Sequence, residues 1–152
     1  MIELLTKCNL NCEHCYLPSH SNKGLDFDTI KLLFRDLRKL GIMNVSLTGG
    51  EIFLREDIFE IIELARRNQM RVFLLSNGTL LNKSKVTKLI NLNIAEFSTT
   101  IFSMDPEIHD SITGVKGSLN KLLKNLKFFD GSNISIRTVS YTHLTLPTKR
   151  IV

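Results

Sequence analysis

The stretch NVSLTGGEIFLREDIFEIIELARRNQMRVFLLSNG, residues 44–78, decides the fold. Residues 44–48 read as a short strand that stops at Gly49-Gly50. Ile58, Ile61, Ile62 and Ala65 then recur at helical spacing, which predicts a helix over 57–68 with one apolar face. RVFLL, residues 71–75, is a second apolar strand that stops at Ser76-Asn77-Gly78. Strand, helix, strand in so short a span is a βαβ unit, and a crossover of this kind joins parallel strands.

Outward from that unit the pattern repeats. Residues 2–6 form a brief strand ending just before the cysteines. Ile30, Leu33, Phe34, Leu37 and Leu40 mark a helix, with Asp26 as N-cap and Gly41 as stop. A weaker helix is expected over 83–90, a strand over 96–101, a helix through Leu119, Leu122, Leu123 and Leu126, and a strand over 134–138. Asp105-Pro106 reads as the start of a turn, with His109-Asp110 fixing the loop before the last helix. Repeated βα units imply an α/β fold, a parallel sheet covered by helices. A doubly wound open sheet and a partial (βα) barrel of about four and a half units both fit. In either, ligands gather at the C-terminal ends of the strands. The cysteines, Gly49-Gly50-Glu51, Ser76-Asn77-Gly78 and Thr99-Thr100 each follow or end a strand, so four strands aim polar groups at one rim.

A chain of 152 residues has room for one domain, and 43% apolar with 23% charged residues is the balance of an ordinary globular protein. No stretch approaches the roughly 20 apolar residues of a membrane span. The net charge of +5 is spread over helical faces, as in Lys31, Arg35 and Lys39, with no compact basic run. Neither nucleic acid nor membrane is therefore expected as a partner. The three cysteines, Cys8, Cys12 and Cys15, fall within TKCNLNCEHCYLP. An odd, tightly clustered set cannot close a disulfide framework. With no export signal in MIELLTKCNL, reduced thiols and a cytoplasmic location are expected.

Three thiolates at C-x3-C-x2-C spacing can converge on one inorganic centre. Zinc in a structural site takes four ligands, and His14 or His20 could supply the fourth, giving a noncatalytic Cys3His zinc module. An iron–sulfur cluster held by three cysteines would instead keep one iron open. Spacing alone leaves the two readings level.

The chain resembles the radical S-adenosylmethionine enzymes. Cys8, Cys12 and Cys15 match the family's CxxxCxxC motif, with the ring residue His14 before the last cysteine. Thr48-Gly49-Gly50-Glu51 looks like its GGE motif, and Ser76-Asn77-Gly78-Thr79 resembles the segment near the cofactor after the third strand. TTIFSMDPEIHDSITGVKGSLNKLLKNL, residues 99–126, is similar to the peptide-modifying branch, whose members often carry a C-terminal SPASM region. The resemblance implies an incomplete TIM-like barrel. It implies that Cys8, Cys12 and Cys15 ligate a [4Fe-4S] cluster whose fourth iron takes the amino and carboxylate groups of S-adenosylmethionine. Gly49 and Gly50 would let backbone pass close to the methionine moiety, and Glu51 would partner its ammonium. Ser76 and Asn77 would bond the ribose or methionyl part, His14 would lie against the adenine, and Thr100 would touch the methionyl end.

The implied reaction passes one electron from the reduced cluster to the sulfonium, cleaves the C5′–S bond, and yields a 5′-deoxyadenosyl radical that abstracts hydrogen. Cofactor and cluster carry this chemistry, so no separate acid, base or nucleophile is assigned. The implied partners are a peptide or protein substrate and an electron donor such as flavodoxin or ferredoxin. A member acting in cofactor or haem biosynthesis is the alternative within the family. Taken singly, the glycine pair and Asn77-Gly78 are ordinary turns, and Glu51 is a solvated charge at a helix entry. Only their joint placement on one rim favours the functional reading.

VSYTHLTLPT, residues 139–148, matches the conceptual translation of a sequencing-library adapter. Residues 139–152 are therefore expected to be a non-native tail on a truncated gene, and residues 1–138 a partial core domain, itself inactive and poorly soluble when isolated.

Overall fold

In the computed structural model, residues 1–17 and 24–139 are described. Side-chain alternation builds the sheet. In β2 (Asn44–Thr48) and β3 (Arg71–Leu75), Val45, Leu47, Val72 and Leu74 are buried, while Ser46 and Phe73 between them are partly exposed. The register sets Val45 beside Val72 and Leu47 beside Leu74, and Leu74 beside Phe97 of β4 (Glu96–Thr100). One apolar row thus crosses three strands. Burial of each such side chain contributes roughly 1.5–3 kcal/mol.

With β1 (Ile2–Glu3) and β5 (Ser135–Val139) the sheet has five parallel strands in the order β1-β2-β3-β4-β5. Every crossover steps to the next strand in the same direction, and parallel crossovers share one hand, so their helices collect on one face. That is the winding of a barrel wall; a doubly wound sheet needs the strand order to reverse. Of the two architectures open to the sequence, the partial (βα) barrel is the one that forms.

Helix α1 (Phe27–Lys39) starts where Asp26 accepts from Thr29 N at 2.8 Å, as expected. Helix α2 (Ile58–Arg67) follows Asp57, whose carboxylate makes no cap bond because Arg55 holds it at 2.8 and 2.7 Å. Arg55 also donates to Leu4 O and Leu25 O, tying the exit of β1 to the entry of α1. Helix α3 (Lys83–Asn91) is capped by Asn82. The helices bury Ile30, Phe34, Ile61, Ile62 and Leu89 in a single core with the sheet row.

Beyond shifts of a residue at element ends, three features differ from the sequence reading. The first strand is shorter than 2–6: Leu4 N still reaches Thr48 O at 2.8 Å, but Leu5 O turns away to Gly50 N. The segment read as a turn at Asp105-Pro106 is a helix, α4 (Pro106–Thr113), ahead of α5 (Ser118–Leu126). Its ends are well marked, by Asp105 accepting from Glu107 N, by Pro106 in its first turn and by a left-handed Gly114. Its buried side chains, His109, Ile112 and Thr113, are mostly polar, so it lacks the apolar period that reveals a helix. Finally Val139, expected to begin the tail, ends β5 opposite Thr100. The rest of that tail, 140–152, and His20 lie outside the described residues.

Candidate active site at the strand tips

The loop that carries the cysteines leaves β1 and is held against the turn after β2. Gly50 N donates to Leu5 O and Glu51 N to Lys7 O, both at 2.9 Å. A Cβ on Gly50 would run into the Lys7 carbonyl oxygen, and one on Gly49 into that of Leu5. The glycines thus admit the cysteine loop's own backbone, a contact that by itself excludes a side chain here.

Glu51 is fully buried and directed inward. Its carboxylate accepts from Phe53 N, Ser76 Oγ and Asn77 N, each at 2.9 Å. Burial pushes its carboxyl above the ordinary range, with the Phe53, Ser76 and Asn77 donors acting against that shift. The carboxylate expected to meet an ammonium group ties the turn after β2 to the turn after β3. Asn77 continues the connection: its amide donates to Asn9 Oδ1 at 3.0 Å and sits 3.8 Å from Cys8 Sγ. Thr79 N and Oγ1 donate to Asn77 Oδ1 at 2.9 and 2.7 Å, and Asn9 donates to Thr79 Oγ1 at 2.9 Å. This polar set fixes the orientation of Asn77 and, through Asn9, the first turn of the cysteine loop.

A cavity of about 290 Å³ opens above these tips. Cys8, Cys12, His14 and Cys15 line it from the first loop, Gly49 and Gly50 from the second, Ser76 and Asn77 from the third, and Thr100 from the end of β4. Among the expected site residues only Glu51 does not reach it. Cys8 and Cys12 are half-buried and Cys15 is exposed. Burial pushes the Cys12 thiol up to about 11, with Cys8 and Cys15 adding to the shift. Burial also raises Cys8, against the Leu10 N–H that reaches its sulfur at 3.4 Å. Among the described residues, no three His, Cys, Asp or Glu side chains close on one metal position. The donor set itself is soft sulfur, suited to an iron–sulfur cluster or to zinc, and its mutual repulsion is what a bound cation would relieve.

The opposite wall joins Thr99, from the rim motif at the end of β4, and His109, expected only to fix a loop, with Phe102, which the sequence reading did not single out. Thr99 Oγ1 is buried with no hydrogen-bond partner among the described residues, and Thr99 lines the cavity. A buried hydroxyl left without a partner beside a cavity leaves one hydrogen bond for a water or a polar ligand to supply. Phe102 lies between His14, at 4.8 Å edge-on, and His109, at 5.6 Å. His109 Nδ1 accepts from Phe102 N at 3.3 Å, and burial lowers its pKa against the pull of Asp110, so a neutral ring lines the cavity. The aromatic and glycine spacing of 102–114 was visible, but nothing in it marks which residues face inward. The residues present fit a polar, partly aromatic ligand beside three thiols.

A barrel wall with a three-cysteine loop and a glycine turn at its strand tips defines the class, and the Radical SAM superfamily profile matches residues 2–149. The chain belongs to the Radical SAM superfamily. It is 32% identical over 139 residues to the antilisterial bacteriocin subtilosin biosynthesis protein AlbA of Bacillus subtilis strain 168, covering 89% of this chain and 31% of AlbA. It is also 32% identical over 153 residues to an AdoMet-dependent heme synthase of Methanosarcina barkeri, covering 97% of this chain and 44% of that protein. The crystal structure of Streptococcus suis SuiB bound to precursor peptide SuiA superposes with a TM-score of 0.78 at 19% identity, over 90% of this chain and 31% of SuiB. At that identity the likeness is one of fold. The chain thus spans less than half the length of each of these relatives.

Proposed function

We propose that this chain is the N-terminal part of a radical S-adenosylmethionine enzyme that modifies a peptide or protein. The observation that carries the reading is convergence: the three cysteines, the glycine turn, Asn77 and Thr100 come from four strand tips and line one cavity. When bound, a [4Fe-4S] cluster and S-adenosylmethionine supply reductive cleavage of the C5′–S bond, and with it a radical able to abstract hydrogen.

The chain's own residues bind and orient. Cys8, Cys12 and Cys15 are the cluster ligands, and Gly49 and Gly50 seat their loop. Asn77 holds the first turn of that loop and shares the cavity wall with Thr100 and His14, which are the polar and ring contacts to the cofactor. Ser76 lines the same wall and, with Glu51 behind it, forms an internal tie. Leu10, Leu17 and Phe102 supply the apolar lining that limits water. A small donor of the flavodoxin or ferredoxin kind would deliver the electron, in the cytoplasm. Peptide modification is supported by the 32% identity to AlbA. Haem or cofactor synthesis is the second reading, favoured by equal identity to the heme synthase. Residues 1–138 are proposed as the core and 139–152 as an adapter-derived tail, with the full reaction requiring the longer protein.

Anaerobic reconstitution of the chain with iron and sulfide tests the ligand set. About four irons and four sulfides per chain are expected, and none with Cys12→Ala. One tightly held zinc without sulfide would overturn the reading. The gene's complete 3′ sequence tests the tail.

A further inference from the structure

An α-helix ends on carbonyls that have no partner within the helix. At the end of α4, Thr113 O accepts from Asn11 N at 2.9 Å and Ile112 O from Glu13 N at 3.1 Å. Those two amides flank Cys12. The backbone on both sides of the middle cysteine is therefore bonded to a helix terminus more than ninety residues away in sequence. The approach is close because the next residue is Gly114, with φ +68°; a Cβ there would stand 2.8 Å from Asn11 O. The helix end is itself fixed: Asp110 accepts from Gly117 N, from Ser118 Oγ at 2.8 Å and from Leu119 N at 3.1 Å, closing the turn into α5.

We infer that the carbonyl end of α4, with its Gly114 cap, is the positioning device for the cysteine loop and sets where Cys12 stands. This rests on the reading of Cys12 as a cluster ligand. Gly114 and Asp110 are positioning residues, touching neither metal nor cofactor. The block HDSITGVKGS, residues 109–118, then has a physical role: it builds a helix end whose carbonyls remain available to the loop.

Gly117 provides a matched control. It too is left-handed, with φ +81°, but a Cβ there meets nothing within 4 Å. Gly114→Ala and Gly117→Ala therefore share the backbone strain, and only the first pushes on the loop. In the reconstituted 152-residue chain, Gly114→Ala is expected to weaken iron retention against a chelator roughly tenfold, as loss of an outer-shell support does, while Gly117→Ala stays near wild type. Equal loss in both variants, or in neither, overturns the inference. Should the wild type take up no iron, the cluster reading fails, and hydrogen exchange of the metal-free chain still tests the clamp. The amides of Asn11 and Glu13 should be protected in the wild type and in Gly117→Ala and released in Gly114→Ala. Unprotected amides in the wild type, or protection unchanged by Gly114→Ala, would refute it.

Discussion

Glu51 separates two roles for the same carboxylate. If it served a ligand, its removal would leave the empty fold intact. The structure instead gives it three internal donors at 2.9 Å and no exposure. Replacing it with alanine strands Phe53 N, Ser76 Oγ and Asn77 N in a dry site, at about 1–3 kcal/mol for each unsatisfied group. Water entering the space recovers part of that, so Glu51→Ala should lose about 3–6 kcal/mol, a large share of a domain's stability. Glu51→Gln keeps the shape but turns an NH2 toward one donor, and should cost about 1–3 kcal/mol. Urea unfolding of the metal-free chain, followed by far-ultraviolet circular dichroism, reads both. The pH dependence has a definite sign. Burial raises the folded carboxyl above its unfolded value, so its contribution is fully present below the unfolded pKa and is lost as pH rises through the folded one. Glu51→Gln cannot titrate there, so its deficit against wild type should narrow from acidic to neutral pH. Alanine within about 1 kcal/mol of wild type, together with lost S-adenosylmethionine binding, would mean the carboxylate faces a ligand and the internal tie is wrong.

Gly50→Ala should be as severe by another route, since its Cβ meets the Lys7 carbonyl and must push the loop away along with the bonds to Leu5 O and Lys7 O. A loss of about 2–4 kcal/mol is expected, with faster alkylation of Cys8 in the native state; unchanged alkylation would count against the loop contact. Thr99→Val removes a buried hydroxyl that has no partner among the described residues, so the metal-free chain should be unchanged or up to about 1 kcal/mol more stable. Destabilisation beyond that would show the hydroxyl to be satisfied in the native protein. After reconstitution the same variant should bind S-adenosylmethionine more weakly, which isothermal titration can measure.

The positions of the site were readable because they obey local rules. Strands that end at Thr48, Leu75 and Thr100 must, if parallel, deliver Gly49-Gly50, Ser76-Asn77 and Thr100 to one side, and the cysteine loop follows the first strand. All but Glu51 of the expected residues accordingly line a single cavity. Helix α4 was missed because a short helix with buried polar residues carries no hydrophobic period, although Asp105, Pro106 and Gly114 marked both ends.

Periodicity and turn chemistry along the chain were enough to determine the α/β class, the order of elements and the side of the sheet where chemistry collects, because each depends on neighbours a few residues apart. Direction and contact were decided only by tertiary structure. That Glu51 turns inward depends on donors from Ser76 and Asn77, and that Gly50 meets the Lys7 carbonyl depends on where the first loop lies. The partner of Cys12's flanking amides is a helix end brought close by three further crossovers. Long-range backbone bonds of this kind leave no local signature, since a carbonyl at a helix terminus looks the same in sequence whether water or a distant backbone N–H donates to it.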